Sequence, residues 1–225
     1  MEVMPFHVHC ARPAFEPQTI AHLSLPTFGP AFTRDWRDGL QTMAGPLCTL
    51  RELTLEDAPS LFAQLTTEEV SRFISPPPTT VEGFEAFIQW AHEQRAQGRY
   101  ACFGVVPNGQ KAAVGLFQVC IADAASKTAE WGFVLGSTYW GTGMFMEGAR
   151  RTIDFVFGQL GIRRLEARAV PQNGRGTGAL RKVGAVRVGL LRGSLERFGQ
   201  RLDQALWVIT RKGWLKKQLT KYTVH

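Results

Sequence analysis

A short glycine loop between an apolar run and a helical run constrains this chain more than any other feature. The apolar run is Thr128–Leu135, the loop is Trp140-Gly141-Thr142-Gly143, and apolar residues then recur every three or four positions from Phe145 to Leu160. This spacing predicts one face of a helix. Glycines let several backbone N–H groups converge on one anion, and a helix N-terminus adds partial positive charge. The segment predicts a phosphate site, although an ordinary strand-to-helix connection has the same pattern.

Composition narrows the class of protein. With 225 residues, of which 44% are hydrophobic, the chain fits one globular domain with a substantial core. No apolar run approaches the roughly 20 residues that a membrane-spanning helix needs. The start lacks the basic and apolar blocks of a secretory signal. A net charge of +7 favours nucleic acid, a membrane surface or a polyanionic cofactor as partner, but it also fits an ordinary basic surface.

The cysteines and histidines give no metal-binding pattern. The four cysteines form no C-x-x-C pair, which argues against a zinc ribbon and for reduced, mostly buried thiols in a cytosolic protein. His7-x-His9-Cys10 resembles a metal clip, but no fourth ligand is nearby. We therefore expect no metal site.

The chain divides into three parts. Residues 1–45 are rich in Pro and Gly without a sustained period, which predicts an irregular extension that is partly disordered. Met43 is an alternative start, because the regular pattern begins just after it. Residues 46–214 form the regular domain, and residues 215–225 form a basic tail. That tail either is solvated, docks on the domain, or contacts RNA or the ribosome.

Within the regular domain, strands and helices alternate in an order typical of an α/β or α+β sheet with helices on both faces. Helices are expected after Asp57, after Thr79 or Thr80, along the face from Phe145 to Leu160, and briefly over 179–183, behind a polar glycine loop at 173–178. Seven strands are expected at 47–53, 101–106, 113–121, 128–135, 164–169, 186–195 and 202–209.

Four motifs in this order resemble those of the GCN5-related N-acetyltransferase (GNAT) family, in its branch of ribosomal-protein-alanine N-acetyltransferases. The motifs are Ala129–Leu135, Trp140–Gly143 followed by Glu147, Asn173 followed by Leu180–Ala185, and Leu202–Trp207. The resemblance covers residues 47–214, and it implies a mixed, mostly antiparallel central sheet. It also implies an enzyme in the cytoplasm that uses acetyl-CoA; homodimers are common in the family.

The resemblance assigns a place to each part of coenzyme A. The pyrophosphate would meet the amides of the glycine loop, the pantetheine arm would run along the strand before it, and a carboxamide would contact that arm. These residues are Phe133, Val134, Leu135, Gly141, Thr142, Gly143, Met144, Phe145 and Asn173. Two positions depart from the family pattern. Phe145 stands where a small residue is usual, and Gly176 stands where the branch has a serine, with Thr177 beside it.

Acetyl transfer to an amine needs a base and a departing thiol. An α-amino group with a pKa of about 7.7–8.0 demands less of a base than a lysine with a pKa of about 10.4. Glu130 is the candidate base, directly or through water, and its alternatives are a substrate-amine anchor or a surface strand glutamate. Glu147 is expected to be structural in the first helical turn. No tyrosine lies between Asn173 and the last hairpin, so Thr177 or an ordered water is the candidate acid.

Two functions remain open at this point. The first is an N-acetyltransferase that moves an acetyl group from acetyl-CoA to a primary amine, either a protein N-terminus or a small molecule, with ribosomal association as a further expectation. The second is a non-catalytic binding module of the same fold for RNA or the ribosome, which the basic charge and Phe145 suggest.

Overall fold

The computed structural model describes residues 35–222 of the chain, with side chains as far as Leu219. The predictions made for residues 1–34, including the candidate metal clip His7-x-His9-Cys10, lie outside the described residues. None of the helices in the described part combines the length and the apolar character that crossing a bilayer requires.

Within residues 35–222, eight strands form one sheet in the order β1-β2-β3-β4-β5-β6-β8-β7. Neighbours pair antiparallel throughout, except that β5 and β6 are parallel. This confirms the predicted mixed, mostly antiparallel sheet, with one strand more than expected. The strands are β1 Met43–Ala44, β2 Cys48–Glu52, β3 Tyr100–Pro107, β4 Gly115–Asp123, β5 Thr128–Leu135, β6 Arg164–Ala169, β7 Val186–Arg197 and β8 Gln200–Thr210.

In the described part of the chain, six α-helices cover the two faces of the sheet. They are α1 Ala58–Leu65, α2 Glu68–Ser71, α3 Val81–Ala96, α4 Met144–Gly158, α5 Gly174–Val183 and α6 Arg211–Tyr222. Thr80 begins α3 by accepting the Gly83 N–H at 3.0 Å, as the predicted cap implies. Alternate residues of the sheet point to opposite faces, so one apolar cluster packs under α1 and α3 and the other under α4.

The prediction of a loop at residues 173–178 was wrong, because α5 already begins at Gly174. Its glycines disfavour a helix by propensity. Asn173 offsets this cost, since its side-chain oxygen accepts the Gly176 N–H at 2.8 Å and caps the first turn. Buried Thr177 and Leu180 then anchor the helix on the domain.

The cysteine expectation was correct at two positions and wrong at a third. Cys48 and Cys102 are free, buried thiols, and burial raises the pKa of Cys48 to about 11. Cys120, in contrast, is disulfide-bonded. Spacing along a chain does not reveal which sulfur atoms the fold brings within bonding distance.

The segment before β2 is part of the core although its sequence has no regular period. Leu40 and Met43 are buried in the cluster under α4. Trp36 packs edge-on against Phe155 of α4, with ring centroids 6.3 Å apart. A chain that began at Met43 would therefore lack apolar contacts that the domain uses.

We expect Leu40→Ala to lower the free energy of unfolding by about 2–4 kcal/mol, because it removes a buried side chain and leaves a cavity. Leu40 is 8% exposed, whereas Leu55 is 45% exposed. Leu55→Ala is the matched control and should cost less than about 1 kcal/mol. Urea unfolding measures both, and equal costs would show that the segment before β2 does not belong to the core.

Candidate functional site

The parallel strands β5 and β6 separate after three paired residues. Only Thr128, Ala129 and Glu130 of β5 pair with β6, opposite Arg164, Leu165 and Glu166. Beyond these pairs, β5 continues along β4 and β6 continues along β8. A cleft opens between them at the middle of the sheet.

The backbone of β5 directs N–H and carbonyl groups into this cleft. The Gly136 N–H, at the end of β5, donates to the Val114 carbonyl on the β4 side at 2.9 Å. Backbone groups alternate in direction along an antiparallel pair, so Phe133 and Leu135 direct their N–H groups toward the gap. The Leu135 carbonyl points the same way and accepts the Trp140 ring N–H at 2.8 Å. An extended ligand with amides could complete the ladder here.

The predicted glycine loop follows β5 and has a backbone conformation that only glycine adopts readily. Gly141 and Gly143 have φ angles of +79° and +91°. The Thr142 hydroxyl donates to the Tyr139 carbonyl at 2.8 Å and accepts the Met144 N–H, the first of α4, at 3.5 Å. Helix α4 begins at Met144, and the first N–H groups of a helix have no acceptor within it. The exposed loop therefore presents N–H donors to an anion.

Phe145 packs into the domain beside the loop. Its ring lies 4.7 Å from the Phe133 ring and 5.8 Å from the Phe117 ring, measured between centroids. The bulky side chain is thus part of the apolar cluster under α4. Because a phosphate cradle uses backbone groups, this packing leaves the loop amides available.

Glu147 holds α4 to the segment before β2. Its carboxylate accepts the Leu47 N–H at 3.1 Å and lies 3.5 Å from the Arg151 guanidinium. A Cβ at Gly45 would displace the ends of the Glu147 and Arg151 side chains from these positions. These contacts agree with the expected structural role of Glu147.

Glu130 lies in the cleft where β5 and β6 begin to separate. It is 6% exposed, and one of its oxygens lies 3.2 Å from the Arg168 guanidinium on β6. Both residues line the cleft. The pair places a buried carboxylate and its cation next to the unpaired edge of β5, which is suitable for proton transfer to or from a bound group.

The structure brings most of the sequence-predicted site residues together. Glu130, Phe133, Val134 and Asn173 line one cleft. Leu135 ends the same strand, and residues 141–145 follow it. Thr177 is not among the residues that line the cleft.

The candidate acid Thr177 is engaged inside α5, where its hydroxyl donates to the Asn173 carbonyl at 3.0 Å. The Tyr100 hydroxyl, which was not a candidate, donates to the side-chain oxygen of Gln118, and burial raises the pKa of Tyr100 well above its usual range.

Sequence reasoning missed one end of the cleft, which side chains from five elements or loops form. They are Phe73, Ser75, Gln118, Arg168, Ser194 and Gln204. The alternation of residues 164–169 placed Arg168 on the polar face of β6, but only the register with β5 puts it beside Glu130.

An irregularity in the pairing of β7 with β8 sets the direction of two of these side chains, Ser194 and Gln204. The pairing of β7 with β8 shifts between Leu191 and Leu195, and the Gly193 N–H donates to Asp203 at 2.8 Å. The Ser194 hydroxyl then donates to Gln204 at 3.0 Å. Arg197 also ties β7 to α2 through the Ser71 carbonyl at 2.9 Å, so the hairpin and the α2–α3 segment cover this end of the cleft together.

Within residues 35–222, no group of three or more His, Cys, Asp and Glu side chains is placed to hold a metal ion. The polar groups of the cleft are instead backbone amides, carboxamides, hydroxyls and the Glu130–Arg168 pair. This set suits an organic ligand with amide and phosphate groups.

Comparison with known proteins gives matches that span the domain. Residues 48–186 match the sequence model of the family described as "Acetyltransferase (GNAT) domain". The "Uncharacterized N-acetyltransferase p20" of Bacillus licheniformis is 26% identical over 174 residues, which are 77% of this chain and 98% of that protein.

Solved structures show the same fold at low sequence identity. The structure "Mycobacterium smegmatis RimJ in complex with CoA-disulfide" aligns with a TM-score of 0.68 at 22% identity, over 75% of this chain and 87% of that one. The ribosomal-protein-S5-alanine acetyltransferase of Vibrio fischeri aligns with a TM-score of 0.69 at 20% identity, over 77% and 98% of the two chains.

We expect Phe145→Ala to lower the free energy of unfolding by about 2–4 kcal/mol, because its ring packs between Phe117 and Phe133. CoA affinity, measured by calorimetry, should not rise. Phe198→Ala removes a ring that is 71% exposed and should cost less than about 1 kcal/mol. Unchanged stability together with tighter CoA binding would show that the Phe145 ring obstructs the phosphate loop.

Proposed function

We propose, from the premise that this chain belongs to the GCN5-related N-acetyltransferase family, that it transfers the acetyl group of acetyl-CoA to a primary amine. The chain is an acetyltransferase by family, and the donor and the acceptor are the proposal. The observation that carries it is the unpaired edge of β5 between the glycine loop and Glu130. Relatives support the donor, since one aligned structure is described as a complex with CoA-disulfide.

The fit of CoA follows from the polar groups that the cleft presents. The N–H groups of residues 141–145 would hold the pyrophosphate, and the backbone of Phe133, Val134 and Leu135 would pair with the pantetheine amides. Asn173 lines the cleft, and since its side-chain oxygen caps α5, its amide nitrogen would donate to the same arm. Acetyl-CoA supplies an activated acetyl thioester, whose thiol has a pKa of about 8.5 and therefore departs readily.

Glu130 would accept the proton that the amine loses as its nitrogen bonds to the acetyl carbon. Arg168 holds this carboxylate at 3.2 Å, so Glu130 enters the reaction as an anion with a fixed direction. The Phe133 N–H faces the gap and would stabilise negative charge on the carbonyl oxygen. We assign the proton taken up by the leaving thiolate to water, because the Thr177 hydroxyl donates inside α5.

We expect Glu130→Gln to lower kcat by about 100-fold or more, because it removes the base but keeps the shape of the side chain. The KM for acetyl-CoA and the thermal unfolding midpoint should stay close to those of the unmodified protein. Glu166→Gln is the matched control, since Glu166 is the register partner of Glu130 and pairs with Arg164 at 2.6 Å. Continuous detection of free CoA gives the rates, and equal losses in the two variants would contradict the base role.

The acceptor that fits best is a protein N-terminal amine. The charged side chains lining the cleft are Glu130 and Arg168, which neutralise each other. A polyamine would need several carboxylates, whereas a peptide N-terminus presents one amine followed by amides that Ser194, Gln204 and Gln118 can bind. The Vibrio fischeri neighbour, a ribosomal-protein-S5-alanine acetyltransferase, supports this branch assignment.

We expect a peptide with a free N-terminal alanine to have a kcat/KM at least about 10-fold higher, at pH 7.5, than the same peptide with a blocked N-terminus and one lysine. An α-amine with a pKa of about 7.7–8.0 is partly neutral there, whereas lysine with a pKa of about 10.4 is almost fully protonated. The ratio should fall as the pH rises to about 9.5. A faster lysine peptide at both pH values would contradict the acceptor class.

Phe145 is one of the two features that suggested a non-catalytic binding module, because a bulky ring could obstruct the phosphate loop. In the structure its ring packs against Phe133 and Phe117, so this feature no longer favours the alternative. Ribosomal association, a cytoplasmic location and a homodimer stay predictions.

A further inference from the structure

The positive charge of this chain is concentrated in two segments, residues 174–195 and 204–225. Together they contain ten of the 26 Lys and Arg residues and none of the 19 Asp and Glu residues. Since the whole chain has a net charge of +7, the rest of it carries a charge of −3. Such segregation produces a strongly positive surface where the fold brings the two segments together.

The fold does bring them together, around the end of α5, the start of β7 and helix α6. The Lys217 ammonium donates to the Lys182 carbonyl at 3.3 Å. The Arg181 guanidinium lies 5.6 Å from the ring centroid of Trp207, whose register partner is Arg187. We call the exposed cations of these elements the basic surface: Arg181, Lys182, Arg187, Lys212, Lys216 and Lys217.

Helix α6 is held on the domain, so its cations keep fixed positions. Trp214 is 5% exposed, and its ring N–H donates to Asp154 of α4 at 2.7 Å. The Lys217 contact also satisfies a carbonyl near the C-terminus of α5, where a cation is favoured. The Asp154 carboxylate therefore serves this anchor, and Lys212 and Lys216 are exposed.

We propose that the basic surface binds the phosphate backbone of RNA. Arginine guanidinium groups contact phosphate oxygens in pairs, and lysines add point charges. A membrane-bound helix needs a continuous apolar face beside its cations. Here Trp214 is turned inward, and the exposed apolar side chains near the cations lie on two different elements, Val186 and Val188 on β7 and Leu219 on α6. The choice of RNA over DNA rests on the proposed function, because a ribosomal acceptor would be presented beside RNA.

The basic surface is separate from the proposed CoA site. Arg175, at the first turn of α5, lies 4.5 Å from the Trp140 ring, beside the glycine loop. Arg181 and Lys182 follow six and seven residues later, roughly 10 Å farther along the helix. Neutralising the basic surface should therefore weaken RNA binding without changing the use of acetyl-CoA.

Fluorescence anisotropy of a labelled RNA hairpin with the full chain tests this proposal, in a series of salt concentrations. The double variant Lys212→Gln/Lys216→Gln removes two cations one turn apart on α6, and Arg99→Gln/Lys111→Gln removes two exposed cations elsewhere. We expect the first to bind about 10-fold more weakly near 0.1 M salt, with a salt slope shallower by about 1–2. The second should bind like the unmodified protein. Equal losses in the two variants, or no RNA binding at low salt, would overturn the proposal.

Two further measurements distinguish RNA binding from binding to DNA or membranes and from a role in the CoA site. A DNA duplex of the same sequence, or vesicles of phosphatidylglycerol, should bind more weakly than the RNA hairpin, and tighter binding of either would overturn the assignment to RNA. The KM for acetyl-CoA should be equal in both double variants, and a rise only in the α6 variant would place these lysines at the CoA site instead. Absent turnover with intact, α6-dependent RNA binding would support this inference and contradict the proposed function.

Discussion

The site depends on the separation of β5 from β6 after three paired residues. A buried backbone N–H or carbonyl without a partner costs about as much as a lost hydrogen bond. The strand edge beyond Glu130 therefore needs water or a ligand, and an extended amide chain satisfies it as a neighbouring strand would. The separation also leaves Glu130 as the last residue of β5 that pairs with β6, so the buried carboxylate and the ligand edge lie on one strand.

The loop that follows shows why a backbone site tolerates an unusual side chain. Positive φ at Gly141 and Gly143 is what turns the chain from β5 into α4. Phe145 comes after this turn, in the helix, and its ring joins the Phe117 and Phe133 rings. Because N–H groups hold an anion and side chains fill the core behind them, the family habit of a small residue at this position is not a physical requirement.

Sequence reasoning predicted the parts of the site whose period is strong and local. The apolar run of β5, the alternation of β6 and the three-four spacing of α4 predict a strand that carries Glu130 and a loop that leads into a helix, as in the structure. It failed where a contact depends on register or on a single cap. Arg168 reaches Glu130 only because Glu166 pairs with Glu130, and no local pattern encodes a parallel register.

Local sequence patterns also fail to predict the structure at the ends of the domain and at two turns. Leu40 is buried although no period surrounds it, because tertiary packing decides burial when local pattern is weak. Asn173 turned an expected glycine loop into the first turn of α5 through one side-chain hydrogen bond. The hairpin irregularity that aims Ser194 and Gln204 into the cleft has no sequence signal beyond Gly193, whose φ is +56°.

Amide hydrogen exchange with and without acetyl-CoA tests the central claim most directly. We expect saturating acetyl-CoA to slow exchange of the Phe133 and Leu135 N–H groups, which face the gap. We expect little change at Gly136, whose N–H already donates to Val114. Saturable acetyl-CoA binding that leaves Phe133 and Leu135 exchanging at their original rates would contradict it, because the donor would then lie away from the edge of β5.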